Sequence, residues 1–521
     1  MKKFNYGAKG WGIVIFCFFL FWVGSGWPVT SLNVIMSEYN AMYGWDIAVL
    51  NGFGTMANIL SIIAAAVFGW WCKKRGPKSL ILAGCIMGAV SMFMWGRVTS
   101  IGTYALWYTI CVIASSAYCQ IGLASLIANW FPTRKGSVMG FVTVGACMVG
   151  LTYIKSQTFM IEHFSFAASF DLYAIAFVIL AVVCAFLVKS DPEQCGTYPD
   201  NDRTLTKEKL EAMHAEGMKY RQTSPWTVGK LLRTKETWFI GIGGGVLVMF
   251  TVGIMSNFIP MCASAGIEMN QAIFLMGVTS FIAMPASVIW GIIDEKIGTR
   301  MTTIAMFIYF IVSVCIALVP NIITMYIALV MFASIIGGAN NLAISMTASV
   351  WGRYDFDSAW TVVFILNTIV RSFGFMLVGS LASVTGSFKA TFIGLIICSA
   401  VGAVLFALCS NKQLGRTELY DQSKHIAEQK MSSYQQTKTS GTGMLATMAM
   451  LSLTLMGLGS NAITPALATL AAQFPNQDVS FIQTVATLSM MAGSLIAGAV
   501  MGKKIKTKTL AVSYTHLTLP T

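Results

Sequence analysis

Long uncharged, apolar runs separated by short and mostly basic turns set the pattern of the chain. Charge-free stretches cover residues 10–37, 47–72, 79–96, 98–133, 136–154 and 172–188. After a polar interval they resume at 237–267, 269–293, 301–352, 358–388 with Arg371 as its one charge, and 390–411. A hydrocarbon core about 30 Å thick takes roughly 20 residues of helix, so each stretch reads as a membrane crossing. The stretch 301–352 is long enough for two, with Pro320-Asn321 as the turn between them. The pattern therefore predicts an all-α integral membrane protein: six helices in residues 1–190, a central loop at 191–236, and six more at 237–411. Within the loop, LTKEKLEAMHAEG reads as a short surface helix in what is otherwise a tether. Residues 224–240 alternate apolar and basic positions, as a helix lying on the membrane surface would.

Composition agrees. Of 521 residues, 56% are hydrophobic and only 11% charged, against about 25% charged in soluble chains. The first run is too long, and too soon followed by the next, for a cleaved signal peptide. A net charge of +13 in a soluble chain would point to nucleic acid; here Lys and Arg sort by side. One side receives Lys2, Lys3, Lys9, Lys73, Lys74, Arg75, Lys78, Arg134, Lys135, the basic loop residues from Lys189 to Lys235, Lys296, Arg300, Arg353, Lys412 and Arg416. The other has Arg97 and Lys389 beside acidic Glu38, Asp46, Glu162 and Glu268. The excess of positive charge predicts that this basic side is cytoplasmic, with both ends of the twelve-helix core there and the protein in the cell membrane. Twelve cysteines without a C-x-x-C pair and four scattered histidines predict no disulfide framework, metal or cofactor. No span holds paired acids or a nucleophile with a base, which argues against an enzyme. The expected partners are the lipid bilayer and a small solute, with no nucleic acid, and the protein is expected to work as a monomer.

A short motif recurs. GWWCKKRGPK after the second span and GIIDEKIGTR after the eighth share a Gly, a second Gly seven residues on, and a basic residue two further: Gly69, Gly76 and Lys78, then Gly291, Gly298 and Arg300. Matching loops in two six-helix halves are how many secondary transporters are built, with the substrate between the halves. With these residues the chain resembles the major facilitator superfamily, whose loop signature also asks for an acid and a base between the glycines. Glu295 and Lys296 fill those places in the second copy; in the first, Lys73 stands at the acidic position, Lys74 follows it, and Pro77 replaces a base. The resemblance implies a twelve-helix facilitator fold of two pseudo-symmetric halves. YGWDIAVLN (43–51), NWFPTRKG (129–136), DPEQCGTYPDND (191–202) and the basic segment before the seventh span look like the branch of oxalate/formate exchangers and monocarboxylate transporters. That resemblance implies transport of organic anions.

Arg371 carries the most information about chemistry. It lies 14 residues after Asp357 and 18 before Lys389, which at 1.5 Å per residue is mid-membrane. An arginine there costs roughly 2.5 to 3.5 kcal/mol on insertion scales unless a cavity or counter-charge receives it. The spans hold no acid, so the partner is either a substrate carboxylate, matched by two parallel N–H donors, or backbone carbonyls and Asn367 one turn earlier. The resembled exchangers use a basic residue of the eleventh helix for the anion, and Arg371 falls there; their eighth-helix charge has no counterpart in this sequence. Lys155, near the outer interface, either attracts anions or snorkels to water. Tyr118, Gln120, Asn257, Asn340 and Asn341 either line the cavity or bond helix to helix.

Residues 412–442 read as a polar linker, 443–512 as two further spans that begin a second facilitator-like protein, and 513–521 as a tail unlike either. The expectation is a secondary transporter of mono- or dicarboxylates working by alternating access, as an anion exchanger since no mid-membrane acid offers a proton. The rival readings are an exporter of amphipathic drugs with an adaptable Met- and Phe-rich surface, and a transporter-like sensor that binds without moving its ligand.

Overall fold

The computed structural model describes residues 4–27, 32–202, 207–256, 258–319, 321–385, 388–410 and 412–415. Among these residues every regular element is helical. The linker beyond Gly415, the extra spans expected at 443–512 and the tail 513–521 lie outside them.

The first crossing is α1 (Gly7–Ser25); a short α2 (Leu32–Tyr43) leads to the second, α3 (Ile47–Arg75), and the third, α4 (Pro77–Trp95). The fourth is composite: α5 (Ile101–Ser115), a π-helical segment Ser116–Gly122, and α6 (Leu123–Trp130). The fifth and sixth crossings, α7 (Lys135–His163) and α8 (Phe166–Phe186), complete the first half. The central loop forms α9 (Lys207–Thr223) and the six-residue α10 (Val228–Arg233), so the short helix read from the sequence is present. The second half comprises α11 (Lys235–Ser256) with α12 (Phe258–Ser264), then α13 (Met269–Ile297), α14 (Thr299–Ala317), α15 (Ile322–Thr385) and α16 (Phe388–Leu408). The 64 residues of α15 are two helices, the tenth and eleventh crossings, joined at a kink where Gly352 leaves helical geometry with φ 69° and ψ −173°. A side chain at that φ would be strained, so glycine makes the corner.

Nine described helices are long and apolar enough to cross a membrane on their own, and ten when the two arms of α7, bent by 45°, count as one span. The doubled α15 and the 29-residue α3, which ends in Lys73, Lys74 and Arg75, account for the remaining crossings. Large apolar side chains stand outward: Phe186 is 78% exposed, Phe274 72% and Phe281 66%. Apolar surface on that scale suits a hydrocarbon surround and not water. Inside the bundle small residues let helices touch. At Gly84 a Cβ would fall 3.1 Å from the Tyr118 backbone nitrogen, and at Gly145 it would press on the Phe18 carbonyl. Lipid supplies no hydrophobic drive between helices, so such close contact is what holds them.

The repeat has a matching three-dimensional form. Gly76 (φ 79°, ψ 162°) and Gly298 (φ 85°, ψ 148°) turn the chain identically before α4 and α14. Two residues later, Lys78 donates to the Ala185 carbonyl at 2.7 Å, and Arg300 donates to the Ala407 carbonyl. Each base thus caps the carbonyl end of the last helix of its own half, where the helix dipole favours a cation.

Candidate functional site

The polar residues of the spans take several different places. Arg371 is half-buried on α15, and Asn367, one turn before it, is 7% exposed. The backbone of α11 passes close by: a Cβ on Gly244 would lie 3.0 Å from the Asn367 Nδ2. Tyr118 is fully buried inside the first half, its hydroxyl accepting from Trp27 Nε1 at 3.2 Å and its ring edge-on to Phe177. Gln120 lies in the π-helical segment and joins the halves, its backbone carbonyl accepting from Trp360 Nε1 of α15 at 3.0 Å. Wide π turns leave carbonyls available in this way. Asn340 is exposed in mid-helix, whereas Asn341 is 2% exposed, accepting from Thr143 of α7 at 2.5 Å and donating to Ser287 of α13 at 3.4 Å. Lys155 is exposed. Asn257 lies outside the described residues.

The ends of the two halves on the basic face are in contact at two crossings. At the first, α7 meets α13: Ser287 Oγ donates to the Gly140 carbonyl at 2.9 Å, and a Cβ at Gly291 would collide with the Gly136 carbonyl. Beside it Asp294, 4% exposed, lies against Gly136 and leaves no room for a side chain there, with Lys135 within its electrostatic reach. At the second, α3 meets the eleventh crossing: Gly69 abuts Thr361, and the Cys72 thiol lies 3.8 Å from Asp357 Oδ1.

The repeat residues therefore do different jobs. Gly69 and Gly291 permit the crossings, Gly76 and Gly298 make the turns, and Lys78 and Arg300 cap helices. Lys74, Glu295 and Lys296 are exposed, with Lys74 over the Trp70 ring. The buried acid of the second copy is Asp294, one residue before the position the motif spacing selects. The signal for it was Gly136 opposite, but only the packed structure puts the two together.

The central loop is more than a tether, because it fastens both basic-face corners. Asp200 accepts from Thr133 N at 2.9 Å, Thr133 Oγ1 at 2.8 Å and Arg134 N at 3.1 Å, holding the turn before α7. Burial pushes the Asp200 carboxyl up, and these bonds recover part of the shift. At the other corner, Glu193 takes two bonds from Arg353, at 2.5 and 2.6 Å, and Asp191 a third at 3.4 Å. Burial alone would raise the Glu193 carboxyl, but the guanidinium brings it below its usual range. Asp191, Glu193 and His214 bring ligand atoms within 4.8 Å of one another, a donor set for a cation, yet Arg353 already occupies both Glu193 oxygens. Helix α9 adds an Arg221–Asp357 ion pair, both side chains 2% exposed, and a 3.1 Å bond from the Tyr220 hydroxyl to Asp355. Burial works against the Arg221 charge, and Asp357 more than restores it, leaving the guanidinium above its usual range. None of these loop contacts was visible in the sequence, since loop composition carries no information on what the loop docks to.

A family model described as Major Facilitator Superfamily matches residues 12–374. Monocarboxylate transporter 12 of Xenopus laevis is 21% identical over 416 residues, covering 75% of this chain and 88% of that protein. Monocarboxylate transporter 12 of Homo sapiens is 19% identical over 410 residues, covering 74% and 78%. Among solved structures, a proton:xylose symporter bound to 6-bromo-6-deoxy-D-glucose superposes with TM-score 0.61 at 12% identity, over 78% of this chain and 97% of that one. An E. coli fucose:proton symporter gives 0.57 at 14% identity, over 78% and 100%. At these identities the two structures speak for the fold alone.

Proposed function

The chain belongs to the Major Facilitator Superfamily, and from that premise we propose that this transporter moves small organic anions, mono- or dicarboxylates, by alternating access. It is a multi-pass membrane transporter and not an enzyme. The observation that carries the substrate class is Arg371, a half-buried cation in the eleventh crossing and the one charge in the 358–388 stretch. A guanidinium offers a carboxylate two parallel donors in fixed geometry. The relatives named as monocarboxylate transporters lend support at 19–21% identity. Asn367 stands one turn from Arg371, and Asn340 exposes an amide in mid-helix, a position costly against lipid and suited to a watery cavity. Tyr118 and Asn341 serve better as supports, since both are buried in contacts between helices.

Exchange of one anion for another is the mode we favour, because the charge-free stretches offer no acid to carry a proton. In this reading residues 1–190 and 237–411 are the rocking halves, the basic face is cytoplasmic, and a monomer in the cell membrane suffices. The basic-face contacts then close the inner end.

The test is uptake of labelled carboxylates into vesicles, with and without anion inside. Stimulation by internal anion is expected; stimulation by a proton gradient with no counter-anion effect refutes exchange. Arg371→Gln is expected to abolish uptake in folded protein, and wild-type rates in that variant would remove Arg371 from the site.

A further inference from the structure

The two basic-face crossings descend from one repeat, yet their charges are arranged differently. Three residues after Gly291 stands Asp294, buried and within electrostatic reach of Lys135 on the opposite helix. Three residues after Gly69 stands Cys72, fully buried, and the acid is on the other side, at Asp357. That carboxylate is 2% exposed and pressed on a thiol, which is a poor partner for a charge. Lys73 is within electrostatic reach of Asp355 and Asp357, but the ion pair to Asp357 comes from Arg221 on α9.

Helix α9 is shaped to deliver it. His214, Gly217 and Arg221 recur at three- and four-residue steps and so share one face. Along that face His214 lies 3.6 Å from Glu193 and Gly217 leaves space for the Tyr354 ring; just past the end of the helix, Ser224 donates to Asp355 at 2.5 Å. A Cβ at residue 217 would collide with the far end of that ring, so without the glycine either the ring or the helix has to shift.

We propose that α9 is the third member of the α3–α15 crossing, with Arg221 a positioning residue that supplies the counter-charge Asp357 needs to be buried in the closed state. The physical step is a change of solvation. With Arg221 in place, closing buries a neutral pair; without it, closing buries a bare carboxylate, and the crossing rests open where water reaches Asp357. The proposal rests on the reading that this face opens during transport, but its assay contains no substrate, so a failed carboxylate assignment leaves the result unaffected.

Cys72 is a built-in reporter, buried until the crossing parts. The full chain in vesicles is treated with N-ethylmaleimide, and labelling is resolved cysteine by cysteine by peptide mass spectrometry. Arg221→Gln is expected to speed Cys72 labelling about tenfold or more, while Cys17 and Cys111, equally buried elsewhere, keep wild-type rates. The neutral pair Arg221→Gln with Asp357→Asn is expected to return Cys72 to the wild-type rate. Unchanged Cys72 in the single variant, a rise shared with Cys17 and Cys111, or a double variant as fast as the single would overturn the proposal. Should the single variant yield no folded protein, the double variant and Arg221→Lys decide: wild-type labelling in both supports it, and faster Cys72 labelling in either overturns it.

Discussion

At the scale of single residues, burial decides which charges matter. Glu193 and Arg353 are each about 3% exposed and share two short hydrogen bonds, so solvent screens them little. Removing one partner of such a pair typically costs about 3 to 5 kcal/mol, because the other charge is left buried alone. Glu193→Gln should therefore lower the thermal midpoint of the purified protein clearly at pH 7. The sign of the pH dependence follows from the direction of the shift. A carboxyl lowered below its reference value of 4.5 stabilises the fold above that pH and loses the contribution as pH falls through the lowered value. The gap between wild type and variant should thus be present above the reference value of 4.5 and shrink as pH falls through the lowered value; a gap that widened in acid would contradict the pairing. Asp200 has the opposite sign, since burial outweighs its bonds and its ionised form is the costlier one. The limits of sequence reading are also plain at this scale. Motif spacing points to Glu295, but neighbouring residues of a helix are about 100° apart, and it is Asp294 that turns to α7 while Glu295 is exposed.

At the scale of elements, the crossings were legible because charge-free length is a one-dimensional property, although several stretches hold more than one helix, as 98–133 does with α5 and α6 and 237–267 with α11 and α12. The turns were legible through their glycines. Gly76 and Gly298 both adopt positive φ with extended ψ, where an L side chain costs about 1 to 3 kcal/mol. Gly298→Ala should lower stability by that amount with uptake retained per folded molecule, measured by thermal unfolding beside vesicle transport. Gly140→Val is different in kind: a Cβ there lies 2.7 Å from the Ser287 carbonyl and 3.1 Å from Val288 Cα, backbone that has nowhere to go. That variant should hold α7 and α13 apart and leave uptake lost although the protein folds; normal uptake would show that the contact is dispensable. What stayed illegible was docking. The helix at 207–223 was readable from its own residues, but its seat on Tyr354 and Asp357 depends on a corner more than a hundred residues away.

At the scale of the molecule, the two-halved plan was readable from the repeat, while the joining of the halves was not. The Thr143–Asn341 and Gln120–Trp360 bonds run between halves, and no local pattern announces them. Residues 416–521 follow a bundle that already contains both repeats, and we expect a chain ending at 415 to insert and transport at near wild-type rates in vesicles. Loss of transport with intact insertion would show that the extension has a task. The capping of Ala185 by Lys78 has one more consequence, which concerns synthesis. Both partners of that bond lie within the first 190 residues, so all that it needs is present once the sixth helix has been synthesised; Arg300 and Ala407 form the equivalent pair in the second half. Each half thus holds its closing contact within its own residues, and the first such contact needs nothing from the second half.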